Sequence, residues 1–188
     1  LMAEKESKRD ILAVDFYRIN RKMEFELPIE MPKFIRQPPW KKTTYPYWTW
    51  ISFELEKRYE LLSKAYMISK KERFFEIIKN EILVLCKWET WQEHRVCNCQ
   101  TKCEKTCNFL GPAISNGIFM RLCSSFLLNY HDKLDSKTKS IIINSIEEKG
   151  LKPVINFVKD KKTFSNISLM LCAISGSTIV ILNKFGVE

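Results

Sequence analysis

The sequence predicts an all-α fold built from antiparallel helical hairpins. Three observations carry that expectation. From Trp48 onward, apolar residues recur every three or four positions rather than at every second one. The periodic segments are joined by short polar connections that hold capping residues such as Asp135 and Ser136. Glycine is scarce, 5 in 188 residues, which argues against a β fold rich in tight turns.

The elements follow in order. Residues 1–45 read as an irregular arm, because "ELPIEMPKFIRQPPWKKTTYPYW" is dense in proline and aromatic residues. Residues 46–188 read as the helical-hairpin domain. Ile51, Leu55, Tyr59, Leu62 and Tyr66 mark one face of a first helix. Ser69 and Glu72 are spaced as a capping box that opens a second, which should bury Phe75, Ile78, Ile82 and Leu85. The connection is short, so the two helices should fold back on each other.

A second hairpin is expected after the cysteine-rich stretch "HRVCNCQTKCEKTC". Pro112 sits at its start, and Ile114, Ile118, Leu122, Phe126 and Tyr130 form its apolar stripe. "DSKTKSIIINSIEEKG" supplies the returning helix, with Asp135 or Ser136 as cap and Gly150 as terminator. Pro153 opens a short helix to about Asp160. The layout of the first hairpin recurs weakly in the second. Ile167, Met170, Leu171, Ile174, Ile179 and Leu182 spread over more than one face of a last helix near 166–184. That helix is therefore expected to be buried on several sides, and the chain reads as part of a longer helical array.

Composition narrows the function only loosely. The formal charge of +9 favours anionic partners. Most basic residues are lysines interspersed with glutamate, and neither a helix-turn-helix nor an aromatic-and-basic RNA-binding signature is present, so nucleic acid is not expected. "ISLMLCAISGSTIVIL" is short for a bilayer crossing and is broken by Ser175, Gly176 and Ser177, so no membrane span is expected. The N-terminal residues show no apolar signal-peptide core, although a removed leader stays open. The odd number of cysteines, 7, suits a reducing compartment slightly better than an oxidised scaffold.

Three segments in this order resemble the heparinase II/III-like polysaccharide lyases. "YPYWTWISFELEKRYELLSKAYMISKKERFFEIIKNEILVLCKWETWQE" is similar to that family's opening hairpin and the Trp-rich loop after it. "AISNGIFMRLCSSFLLNYHDKLDSKTKSIIINSIEEKGLKPVI" is similar to its next hairpin, where the family usually shows a Tyr-Asp near Tyr130-His131. "TFSNISLMLCAISGSTIVIL" is similar to its Asn-containing start of an apolar helix rich in small residues. The resemblance covers residues 45–184. It implies part of an α/α toroid, with the rest of the toroid and a β-sandwich domain following downstream. It also implies β-elimination on a uronic-acid polysaccharide such as a glycosaminoglycan or alginate, with no cofactor required. This chain alone would then be catalytically incomplete, since the family's Tyr and second His normally lie further along.

On that resemblance Asn166 is the residue that would neutralise the substrate carboxylate. An amide at a helix N-terminus suits an anion chemically, though asparagine there is also an ordinary helix cap. Trp91 and His94 fall in the loop that the family places near its substrate cleft. A tryptophan can stack on a sugar face or plug the top of a helix pair, and Trp91 is open to both readings; for Trp88 the plug is favoured. Tyr130 is expected in the core, and His131 complements a helix C-terminus.

Cys97, Cys99, Cys103 and Cys107 are spaced C-x-C-x₃-C-x₃-C, unlike the paired C-x₂-C of structural zinc. If the stretch is helical, the last three share one face. A structural zinc completed by Cys97 or His94, disulfides, and free thiols all remain open. Cys86, Cys123 and Cys172 lie within apolar helices and read as buried thiols acting as small hydrophobes. Two functions follow: the N-terminal toroid portion of a lyase, or a non-catalytic helical repeat module binding a protein or an anionic glycan, with a metal-stapled cysteine loop as one form of it.

Overall fold

A computed structural model of the chain describes residues 2–8, 47–96, 108–112, 114–159 and 166–185. Over these residues the chain is all-α apart from one two-stranded ribbon. Helix α1 (Met2–Ser7) precedes the first hairpin, α2 (Tyr47–Ser69) and α3 (Glu72–Lys87). The ribbon, β1 (Glu93–Val96) and β2 (Asn108–Gly111), leads into the second hairpin, α4 (Ile114–Tyr130) and α5 (Ser136–Ser145). A π-helical turn (Ile146–Leu151) continues α5 directly into α6 (Lys152–Lys159), and α7 (Asn166–Lys184) follows.

The two predicted hairpins form, and their apolar stripes make the core. Leu55 and Leu62 of α2 and Phe75, Ile78, Ile82 and Leu85 of α3 are all buried in one core. Where the hairpins meet, Phe75 stacks on Phe126 at 6.0 Å, and Tyr130 lies 5.3 Å from Phe75 and 5.1 Å from Phe126. Offset and tilted aromatic contacts of this kind add to the burial of apolar area.

The connection between α2 and α3 departs from the expected capping box. Lys70 takes a left-handed backbone, φ 53°, so the helix starts two residues later than the box requires, and Lys71 rather than Ser69 is the residue before it. The Ser69 hydroxyl donates back to the Ala65 carbonyl at 2.7 Å instead of capping α3. Glu72, now at the first helical position, accepts from Lys133 Nζ at 2.6 and 2.7 Å and ties the two hairpins together. The predicted cap at Asp135 does form: its carboxylate accepts from the Thr138 backbone N–H at 2.8 Å and from the Thr138 hydroxyl at 2.7 Å.

Gly150 was expected to terminate α5, and it does not. It lies within the π-helical turn, where an added Cβ would come within 2.4 Å of Met120 Cγ. The glycine serves a close approach to α4 rather than a chain reversal.

The two ends of the chain also differ from expectation. Met2–Ser7 is helical rather than irregular, and ion pairs fasten it to the first hairpin. Glu6 accepts from Arg58 through both its carbonyl and its carboxylate, and Glu4 pairs with Lys71 and Arg73. Arg58, itself buried, also donates from Nε to Glu81 at 2.8 Å. The rest of the expected arm, residues 9–46, lies outside the described residues.

Helix α7 was expected to be buried on several sides. Among its described side chains only Leu171, Ser175, Thr178 and Leu182 are buried, a single stripe. Cys172 is exposed, against the expectation of a buried thiol, and so are Ile179 and Val180. No helix among the described residues is long and apolar enough to cross a membrane.

Candidate functional site

The last turn of any α-helix leaves backbone carbonyls without intrahelical partners. At the end of α3 those carbonyls are taken by side chains from three directions. Trp91 Nε1 donates to the Leu85 carbonyl at 2.9 Å. Lys149 Nζ donates to the carbonyls of Cys86 and Trp88, and Ser145 Oγ reaches the Cys86 carbonyl at 3.3 Å. Asn116 Nδ2, from the first turn of α4, donates to the Lys149 carbonyl at 2.8 Å. This network fixes the foot of the ribbon to the π-helical turn.

The two tryptophans lie inside that foot. Trp88 meets Phe119 edge-on at 5.5 Å, and Trp91 meets it at 6.1 Å. Both rings are buried, with 0% and 1% exposure, so Trp88 plugs the helix pair as expected. The reading of Trp91 as a wall of a substrate cleft is corrected here. Its indole faces Phe119 and the Gly150 position, and its one polar atom is satisfied by backbone. No face of the ring is left for a sugar.

His94 lies on β1, in register with Leu110, while Glu93 pairs with Gly111 and Val96 with Asn108. The antiparallel ribbon thus brings residues 96 and 108 side by side. Cys97, Cys99, Cys103 and Cys107 all fall in the connection between the strands, outside the described residues. Among the described residues no group of three or more metal-ligating side chains comes together.

Asn166 is the first residue of α7. The direction of α7 follows from its contacts: Gly117, near the start of α4, faces Leu171 and Ile174, whereas His131, just past the end of α4, stacks on Phe185 at 4.4 Å. Helices α4 and α7 therefore run parallel. The start of α7, the start of α4, the end of α3 and the ribbon all lie at one end of the bundle. The backbone positions of Asn166 and His94 share that end.

Beneath this end lies a group that sequence reasoning treated as inert. Cys86 of α3 and Cys123 of α4 are both buried, near enough for each thiol to shift the other. The hydrogen bond from Cys123 holds the Cys86 thiol below its ordinary value, helped by Ser145 and by the Lys149 ammonium. Burial pushes the Cys123 thiol up, and the neighbouring Cys86 adds to this. Desolvation lowers Lys149, partly offset by the same two sulfurs. No sequence signal links residues 86, 123 and 149; only the packing of α3, α4 and the π-helical turn does.

Comparison with protein-family models, curated proteins and solved structures returns no match to this chain.

Proposed function

We propose that this chain is the N-terminal helical portion of a polysaccharide lyase that cleaves uronate-containing glycans by β-elimination. One observation carries the reading. Two of the segments that resemble the heparinase II/III-like lyases fold as consecutive helical hairpins and the third as the single helix α7, and Asn166 and His94 come to a common end of the bundle. Substrate would approach that end. The Asn166 amide at the head of α7 would stabilise the substrate carboxylate, which makes the adjacent carbon easier to deprotonate. On this reading Trp91, buried with its N–H on the Leu85 carbonyl, holds the ribbon foot rather than binding sugar. A net charge of +9 suits a polyanionic substrate.

The test uses the full-length protein with heparan, chondroitin, hyaluronan and alginate, following the ultraviolet absorbance of unsaturated products. Product from at least one polymer is expected, with Asn166→Ala lowering the rate about 100-fold, the scale of losing one charge-stabilising donor. Binding to a glycan column with no unsaturated product from any polymer would replace this reading by that of a non-catalytic glycan-binding module.

A further inference from the structure

The end of the bundle away from the ribbon carries a surface that the elimination chemistry does not use. There α2 runs out at Ser69, Lys70 turns the chain, and α3 begins at Glu72. Every residue from Met67 to Arg73 is exposed, the longest such run among the described residues. The turn is therefore a protrusion and not the floor of a groove. Two large apolar side chains stand on it, Met67 at 57% and Ile68 at 85% exposure. Helix α1 adds a third. Glu4 pairs with Lys71 and Arg73 beside the turn, whereas Glu6 meets Arg58 further along α2. Helix α1 therefore begins at this end, with Met2 75% exposed. Of the four most exposed large apolar side chains described, three belong to this turn and the helix start beside it; the fourth is Val180 of α7. Single exposed apolar residues are ordinary, but a cluster of them marks a contact surface.

The charges around the turn fit the same picture. Glu4 engages Lys71 and Arg73, and Lys133 engages Glu72, so the acids nearest the apex are already paired. Lys70 makes no ion pair among the described residues. Its backbone is left-handed, a conformation that glycine or asparagine takes more readily, and a lysine there keeps a cation at the apex.

We propose that the α2–α3 turn is a membrane-docking tip, which seats Met67 and Ile68 in the interfacial layer of a bilayer containing anionic lipid, with Lys70 at the headgroups. A convex tip offers no pocket to hold a protein partner's side chain, whereas a lipid interface yields around it. Lysine lays its aliphatic stem along apolar groups and keeps its ammonium in the polar layer. The formal charge of +9 draws the chain toward an anionic leaflet. Contact is peripheral, since no helix among the described residues can cross the bilayer. Asn166 and His94 lie at the opposite end, so docking leaves that end turned to water.

Co-sedimentation of the full chain with vesicles tests this, using phosphatidylcholine and phosphatidylserine in equal parts against phosphatidylcholine alone. The expected result is pelleting with the anionic vesicles, weakened by high salt. Met67→Ser together with Ile68→Ser should weaken binding about tenfold or more, through lost apolar burial. Lys70→Ala should weaken it about fivefold, the scale of one basic residue near an anionic surface. Val180→Ser removes an apolar side chain of similar exposure from another helix and should bind like wild type. All these positions are exposed, so the helical circular dichroism should stay unchanged in every variant. No pelleting with either vesicle would overturn the proposal. So would binding retained in full by the double serine variant, which would put the lipid contact elsewhere on the chain. Equal binding to both vesicles would overturn the part played by charge. Capture of an acidic protein through this turn, with no vesicle binding, would replace the lipid by a protein partner.

Discussion

Helices α4 and α7 lie side by side, run in the same direction, and are both dominated by apolar and small residues. Their surroundings differ. α4 is covered by α2, by α7 and by the π-helical turn, and every residue from Ser115 to Met120 is buried, including Asn116 and Gly117. α7 meets α4 along one stripe and α6 along its flank, and Val180 remains 70% exposed. The stripe that α7 buries contains Ser175 and Thr178, while Ile179 and Val180 face outward. Apolar composition sets what a helix can bury; the number of neighbours sets what it does bury.

The largest effect is expected where α4 is most enclosed. Phe126→Ala removes a ring packed against Phe75 and Tyr130 and should cost about 3–5 kcal/mol in chemical denaturation, the range for a fully buried aromatic. A loss as small as that of a surface change would show that α4 is not the organising helix.

Next comes the contact between α4 and the π-helical turn. Gly150→Val places new atoms where Met120 already sits and should destabilise by about 1–3 kcal/mol through overpacking. Met120→Ala in the same chain should restore part of that loss, whereas a purely conformational role for the glycine would leave the pair no better than the single variant.

A smaller and pH-dependent effect belongs to the cap of α5. Hydrogen bonds from the Thr138 backbone, and then from its hydroxyl, hold the Asp135 carboxyl below its ordinary value. A depressed acid stabilises the fold above its unfolded pKa, about 4, and that stabilisation fades as pH falls through the folded value. Asp135→Ala should therefore lower Tm at neutral pH, and the gap from wild type should shrink below about pH 4. A gap constant across that range would mean that the ionised cap contributes nothing.

The smallest change is expected on the outer face of α7. Val180→Ser should alter stability by no more than about 0.5 kcal/mol, as for a surface position with no special contact. A cost of several times that would contradict the one-sided burial of α7 and would erase the contrast with α4.

Much of the architecture was legible in the residues themselves. The 3.6-residue spacing of Phe75, Ile78, Ile82 and Leu85 located α3, and the apolar run after Asn166 located α7. These signals are local, since the period depends only on which residues share a face. The misreadings share a different cause. Gly150 carries the composition of a helix terminator, but the close passage of Met120 gives it another role. Trp91 could stack on sugar or plug a core, and the Leu85 carbonyl and Phe119 beside it made it a plug. The capping box failed because a left-handed Lys70 shifted the register by which Ser69 and Glu72 would have met.

The candidate site divides in the same way. The sequence alone determined that this chain is a set of helical hairpins, that Asn166 opens an apolar helix, and that a cysteine-rich connection separates the hairpins. Those features rest on composition and periodicity along the chain. Only the tertiary structure decided that α4 and α7 run parallel, so that Asn166 and His94 share an end. It alone brought Cys86, Cys123 and Lys149 together in the core. The physical reason is separation in sequence: residues 37 and 26 positions apart meet only through the packing of three elements, and no local pattern encodes that meeting.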